Sequence, residues 1–504
     1  MIKTNAISLF ALACAAGCTF LPSVGPDYKA PDYEPEAFRL PDAGQPTTNL
    51  TETCEYAAAA EGDDTREPVT TNSVSRWWER FDDPVLTDLM KSAVTNNAGF
   101  KMTLSRLDQA NWELLGSKAA YWPKVDFAGA LDRNWNYANT MSGAGRHRDF
   151  TLLRGAFDAA WEIDIFGGSR REVEAAVAQA QAAGWGAADA WLSLSAQIAA
   201  QYVNLRTTQQ RIEVARTNLV LQSETYDILK SRLDSGIGDE LAVNQCAYVV
   251  EQTRARIPQL LAQEVALKNA LAVLAGAMPG ALDEALKPVP ERRDWLLAPQ
   301  KVAELPLDLM RSRPDVKQAE RNLAAQTARI GVAKAQWFPR LFVSGSVGLE
   351  SSPKPRKLFE KESFVASLGP SVSWPIFQGG AIYASVKAAE ARTEEMARAY
   401  ELALETAYGE VRDAYAAYTQ EQHRYQALAG AVRAATDAVA ISKDLYKNGL
   451  KDFNNVLDAQ RSRLQLEEEF VLSRGQITLN LIGLYKALGG GLVYPQADDK
   501  EGAR

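Results

Sequence analysis

Few residues in this 504-residue chain could carry chemistry. There are two histidines, His147 and His423, far apart, and four cysteines, Cys14, Cys18, Cys54 and Cys246. No Cys/His cluster has metal-ligand spacing. No phosphate-cradling loop, dinucleotide fingerprint or nucleophile elbow occurs, and Gly489-Gly490-Gly491 reads as a helix end. No enzyme, metal site or cofactor is therefore expected. Nothing places Cys54 near Cys246, so a disulfide between them is left open. Asp458 precedes Arg461 by three residues on a helical stretch. On its own this reads as an exposed carboxylate paired with that arginine.

Chemistry of another kind sits at the start. Lys3 followed by the apolar Ile7 to Ala16 makes an export signal over residues 1–17. Ala15-Ala16-Gly17 ahead of Cys18 resembles a bacterial lipobox, which implies that Cys18 becomes the lipidated first residue and carries palmitate. Cys14 is the weaker rival, and plain signal cleavage is the alternative. Thr19, where Asp would retain a lipoprotein at the inner membrane, points to the outer membrane. Residues 18–75 read as a lipidated arm and linker, extended over Ser23 to Tyr33 and flexible over Gln45 to Thr71.

The elements that follow occur twice. Leu86, Leu89 and Met90 open the first helix, and each half starts with a helix of about 30 residues. In the second half Pro314 and Asp315 suit a helix N-terminus. Ala324, Ala328, Val332 and Ala335 recur at helical spacing, and Pro339 stops the run. The period then falls to two, with Leu341, Val343, Gly345, Val347 and Leu349 on one face. Trp122-Pro123 and Val125, Phe127, Gly129 and Leu131 repeat this junction about 216 residues earlier. Trp161 matches Trp374, Phe166 matches Phe377, Gly236 matches Gly449 and Asp239 matches Asp452. The reading is of two tandem repeats, 76–280 and 281–492, with a tail at 493–504. In the first, strands fill about 125–163 and a helical hairpin about 169–275; in the second, strands fill about 341–377 and a hairpin about 381–487. The hairpins turn at Gly236 and Gly449, and Pro258 is expected to kink the first returning helix. Each outgoing helix, on the order of 100 Å long, must pack along neighbours as a bundle or coiled coil.

The four expected strands, Val125–Tyr137, Phe150–Ile163, Leu341–Leu349 and Phe364–Phe377, alternate apolar with polar or small residues and gather aromatics near their ends. That pattern suits outer-membrane strands; a soluble sheet with one wet face is the alternative. Four strands cannot close a barrel, and an open edge is not tolerated in hydrocarbon. Three chains would supply twelve strands. No stretch of 18 apolar residues follows the signal, so no transmembrane helix is expected. The net charge of -8 gives no basic footprint for nucleic acid.

Seven segments in order, GPDYKAP (Gly25–Pro31), WWERFDDPVLTDL (Trp77–Leu89), WEIDIFGG (Trp161–Gly168), RSRPDV (Arg311–Val316), ARIGVAKAQWFPRL (Ala328–Leu341), WPIFQGG (Trp374–Gly380) and YKNGLKDFNNVLDAQRS (Tyr446–Ser462), resemble the TolC-like outer-membrane efflux proteins. The closest likeness is to their lipoprotein, NodT/OprM-like branch. The resemblance implies a mainly α fold with a membrane β-barrel part, closed as a trimer of twelve strands over a periplasmic helical tunnel. It implies an exit duct that carries drugs or other small toxic compounds and meets a periplasmic adaptor and an inner-membrane RND-type pump. The tips at Gly236 and Gly449 would face the adaptor. Asp458, in Val456-Leu457-Asp458-Ala459-Gln460, takes a gate-carboxylate position, where a threefold ring would attract cations. Asn455 stands where the family sometimes has a second carboxylate. Tyr446, Lys451 and Arg461 match positions that latch the closed tip; for Tyr446 and Lys451, helix-end capping and solvation stay open. A duct for protein secretion or metal ions, and an envelope scaffold without transport, are the competing readings.

Overall fold

The computed structural model describes residues 23–31, 77–136, 148–288, 310–352 and 355–491. Cys18, Cys54, His147, Tyr137, the 45–71 linker and the 493–504 tail lie outside the described residues. The fold is mainly α with one antiparallel sheet. It divides into two compact units, one of residues 1–32, 107–183 and 318–400, the other of 33–106, 184–317 and 401–504. Each unit draws on both sequence repeats.

The first unit holds the sheet, in the order β1 (Lys124–Asn136), β2 (Arg148–Ile163), β3 (Arg340–Ser351) and β4 (Phe364–Ser373). Register puts like beside like. Phe127, Phe157, Val347 and Ala366 form one cross-strand row, while Asp126, Asp158, Ser346 and Ser367 form the next row on the opposite face. On the apolar face Phe127 is 66% exposed and Leu368 82%. β4 ends at Ser373 rather than at Phe377, because Pro375 has no N–H for a ladder. Instead the Trp374 indole donates to the Trp337 carbonyl at 3.0 Å, as the Trp161 indole donates to Tyr121 at 3.1 Å. Each helix-to-strand junction is thus pinned by an indole from the strand end that returns beside it.

The N-terminal arm docks in this unit. Val24 donates its N–H to the Phe166 carbonyl (3.1 Å), and Arg171 donates to the Val24 and Gly25 carbonyls and to Asp27 (2.6 Å). Gly25 is required: its φ is +106, and a Cβ there would lie 2.5 Å from the Gly331 Cα.

In the second unit Asp83 caps α1 (Pro84–Asn96), accepting from the N–H groups of Val85 and Leu86. Leu86, Leu89 and Met90 are buried in a cluster where Trp77 stacks on Tyr485. The expected helix of about 30 residues is two helices in the first half, because Asn97 (ψ 120) ends α1 and its side chain accepts from Phe100 to start α2 (Ala98–Lys118). The second half has one helix, α5 (Pro314–Ala335). Between them lie α3 (Gly168–Asp234) and α4 (Glu240–Leu274); α6 (Ala381–Lys447) and α7 (Phe453–Ala487) follow β4. α4 continues through Pro258 as one element. The long outgoing helices have 67 residues each and the returning ones 35.

A buried polar network braces this unit. Arg206 donates to Gln209 and to the Lys287 carbonyl (2.8 Å each); Gln209 donates to Glu264 (3.0 Å), which also pairs with Lys268 at 2.8 Å. Burial acts to raise the Glu264 carboxyl, but hydrogen bonds from Lys268 and Gln209 and the Lys268 charge outweigh it and hold its pKa below the ordinary value. A depressed carboxylate adds stability that is full above the unfolded value and is lost as pH falls through the folded one. Glu264→Gln should therefore cost about 1–3 kcal/mol at neutral pH. That deficit should shrink toward zero below about pH 4, read from thermal unfolding midpoints of both proteins across pH 3–7.

Candidate functional site

The residues expected to act at the hairpin tips come together around one small apolar cluster. Both tips use the same stop. Ile237 N–H reaches the Arg232 carbonyl (3.1 Å) and Gly236 N–H the Leu233 carbonyl (2.9 Å); Leu450 and Gly449 bond Leu445 and Tyr446 in the same way. These paired bonds need a left-handed residue, and Gly236 (φ 76) and Gly449 (φ 73) supply it. Asp239 then caps α4 through Leu241 N–H, whereas Asp452, its counterpart, makes no side-chain cap to α7.

Under the turns, Leu229, Val243, Cys246, Val249, Phe453, Val456 and Leu457 are buried together. Cys246 is a buried free thiol whose pKa burial pushes up to about 11, and its S–H donates to the Gln222 carbonyl at 3.8 Å. Tyr446 rests its ring edge on Phe453 at 5.2 Å, and the Arg232 guanidinium lies over it at 5.5 Å. Arg461 sits over the Tyr248 ring at 5.0 Å and pairs with Asp458 at 3.6 Å. Two cation–π contacts therefore tie the first hairpin to the second, one from each side.

Because Phe453, Val456, Leu457 and Gln460 face inward on α7, the remaining face turns out. Asn455 and Asp458 lie on it and are exposed, the Asp458 side chain 76% so. Asn455 donates only back to the Asp452 carbonyl (3.2 Å) among the described bonds, and Lys451 is exposed within the turn. The fold thus joins Asp458 with Arg461, and Tyr446 with Arg232, while Lys451 and Asn455 stay in solvent within one protomer.

The second candidate surface is the polar face of the sheet. Arg154 bridges Asp158 (2.9 Å) and the Ser346 hydroxyl (3.0 Å) across two strands, and Lys124 pairs with Asp126 at 2.9 Å. Small residues between these ions keep the face open. Among the described residues no three His, Cys, Asp or Glu side chains converge as a metal site, and no helix is long and apolar enough to cross a membrane.

Arg313 was not singled out by its spacing, yet it organises the start of the second repeat. It grips Asp315 with two bonds (3.0 and 2.8 Å), Glu410 at 2.6 Å and the Ala487 carbonyl at 2.8 Å, with its side chain 7% exposed. The sequence cues were its place in the RSRPDV segment and the Pro314–Asp315 helix start beside it. Asn97 holds the matching place in the first repeat and donates to the Leu274 carbonyl at 2.9 Å.

The model of the family described as outer membrane efflux protein matches the chain twice, over residues 89–277 and 305–490. Outer membrane protein OprJ of Pseudomonas aeruginosa is 31% identical over 416 residues, 82% of this chain and 86% of that one. Antibiotic efflux pump outer membrane protein ArpC of Pseudomonas putida is 28% identical over 494 residues, 96% of each. The solved outer-membrane channel OprN superposes with a TM-score of 0.81 at 29% identity, covering 93% of this chain and 99% of its own.

Proposed function

The chain belongs to the outer membrane efflux protein family and is an outer-membrane efflux duct reaching into the periplasm, and from that premise we propose that three copies close one twelve-stranded barrel over a helical tunnel. The observation that carries this reading is the sheet, apolar on one face, polar on the other, with β1 and β4 as edges. An apolar outer face suits lipid and a polar inner face suits a water-filled lumen. Edges in hydrocarbon must pair, so other copies must supply the missing strands.

In this reading the duct conducts drugs or other small toxic compounds passively. A periplasmic adaptor meets the tips at Gly236 and Gly449, and an RND-type inner-membrane pump supplies the energy. The name of the antibiotic efflux relative supports the cargo class. The gate lies on the outward stripe of α7. Three Asp458 carboxylates around a narrow axis repel one another, so the closed tip depends on their Arg461 partners and on Tyr446 beneath Arg232, with Lys451 as a latch toward neighbouring copies. Lipid on Cys18 fits the arm, because Ser23 and Val24 are held beside Phe166, immediately past the end of β2.

The test of the whole is a strain lacking this chain, challenged with dyes, detergents, several antibiotic classes, copper and silver, with secreted proteins assayed alongside. Sensitivity to unrelated small molecules is expected; sensitivity to metals alone, or loss of a secreted protein alone, would move the duct to another cargo. For the gate, Asp458→Ala with Tyr446→Phe should raise single-channel conductance in a planar bilayer, and unchanged conductance in a trimeric variant removes Asp458 from the gate. For the anchor, Cys18→Ser should abolish palmitate labelling, and a label that persists would move it to Cys14.

A further inference from the structure

A groove in the first unit takes no part in the sheet, the tips or the docked arm. It lies on α5, between α3 and α6, and has a volume of about 380 Å³, enough for a small organic molecule. Small side chains make the room. Ala333 and Ala389 are buried where α5 packs on α6, and Ala388 lines the space beside them. Two guanidiniums border it, Arg329 from α5 and Arg392 from α6, with Glu172 on the α3 side. Arg329 donates to the side-chain oxygen of Gln326 at 3.4 Å, and Gln326 is itself buried.

Among the described residues neither arginine has a carboxylate partner, although acids are close. Lys334 and Lys387 pair with Glu390 at 3.8 and 2.9 Å, and Arg321 pairs with Glu320, but none of these lines the groove. Glu172 borders the same space and pairs with neither arginine. The first repeat builds the matching corner without them. Glu113 on α2 stands where Arg329 stands on α5, and Gln179 on α3 stands where Arg392 stands on α6. Glu113 accepts from Gln109 at 2.8 Å, one turn away. The fold therefore needs a cation at neither place. Two guanidiniums beside an alanine wall fit one carboxylate carried on an apolar body, since each can bind a carboxylate through paired N–H groups.

Helix geometry says which way the groove faces. Gly331 abuts Val24 and Gly25, and Ala324, about 20° from it around α5, packs against Tyr28. Arg329, Ala333 and Gln336 lie about 140–160° from Gly331, on the opposite side. The arm leads back toward Cys18, whose proposed lipid belongs in the bilayer around the duct. The arm thus marks the outer side of α5, and the groove the inner side. We propose that the groove is a transit site on the tunnel wall for organic monoanions, a carboxylate on an aromatic or aliphatic body. Arg329 and Arg392 hold the carboxylate, the alanines take the body, and Glu172 repels a second negative charge. Only the place of the site on the inner wall rests on the duct reading.

The probe is naphthoate, compared with neutral naphthamide and doubly charged naphthalene dicarboxylate, each titrated against the full-length protein in detergent and followed by ligand fluorescence. Naphthoate should bind, and Arg329→Gln with Arg392→Gln should weaken it by about tenfold or more. Naphthamide should bind weakly and equally to both proteins. Equal naphthoate affinity in the two proteins, or naphthamide held as tightly as naphthoate, overturns the site. Glu172→Gln should admit the dicarboxylate, and its continued exclusion overturns the role given to Glu172. In a planar bilayer naphthoate should lower the conductance of the wild-type channel and spare the double variant; equal block of both overturns the place on the inner wall. A protein that binds naphthoate through the two arginines but forms no channel keeps the site and overturns the duct reading.

Discussion

A strand's backbone N–H and C=O groups in hydrocarbon can be satisfied only by another strand, and this sheet leaves two rows of such groups at its edges. That demand orders the rest of the fold. Through the middle of the sheet one face is apolar and the other polar, as the cross-strand rows from Phe127 to Ala366 and from Asp126 to Ser367 show. Turns into and out of the sheet must be fixed, and the two indole bonds from Trp161 and Trp374 fix them. Ion pairs such as Arg154 with Asp158 can exist only on the wet face.

The helical part answers a different constraint. A 67-residue helix has no globular interior to enter along its whole length, so burial comes from neighbours in successive clusters, the largest around Trp77, Tyr202 and Tyr485. Alanine suits this, since it lets helices approach at little entropic cost. Where polar groups are buried they are networked: Arg313 and Glu264 each meet several partners at fixed distances. At the tips a small apolar cluster is supplemented by two cation–π contacts and one exposed ion pair. Such contacts are each worth on the order of 1 kcal/mol.

Much of this was legible in the residues. Long helices bounded by Gly236 and Gly449 appear almost residue for residue, because a glycine stop and an aspartate start are local chemistry. The strand faces were legible because period two is unmistakable when one side is apolar. The break at Asn97 was not: its cap to Phe100 is local, but its amide also donates to the Leu274 carbonyl, a partner far along the chain that no spacing reveals. The end of β4 was misread because the alternation of Trp374 and Ile376 runs past the proline that stops the ladder. Arg313 was legible only as part of the RSRPDV segment; its burial was not, because its partners Glu410 and Ala487 lie far along the chain. The pairing of Asp458 with Arg461 was visible as a spacing, but whether that spacing serves a gate depends on other copies of the chain.

The docked arm sets a length. Arg171 and Phe166 hold the chain at Val24, and Gly25 against Gly331 leaves no slack there. From Ser23 back to Cys18 is five peptide steps, a reach of about 17 Å when fully extended. With the proposed lipid on Cys18 the leash would be short: the lipid would enter the bilayer only close to the foot of β2, and the arm would then act as a depth gauge for the sheet in the membrane.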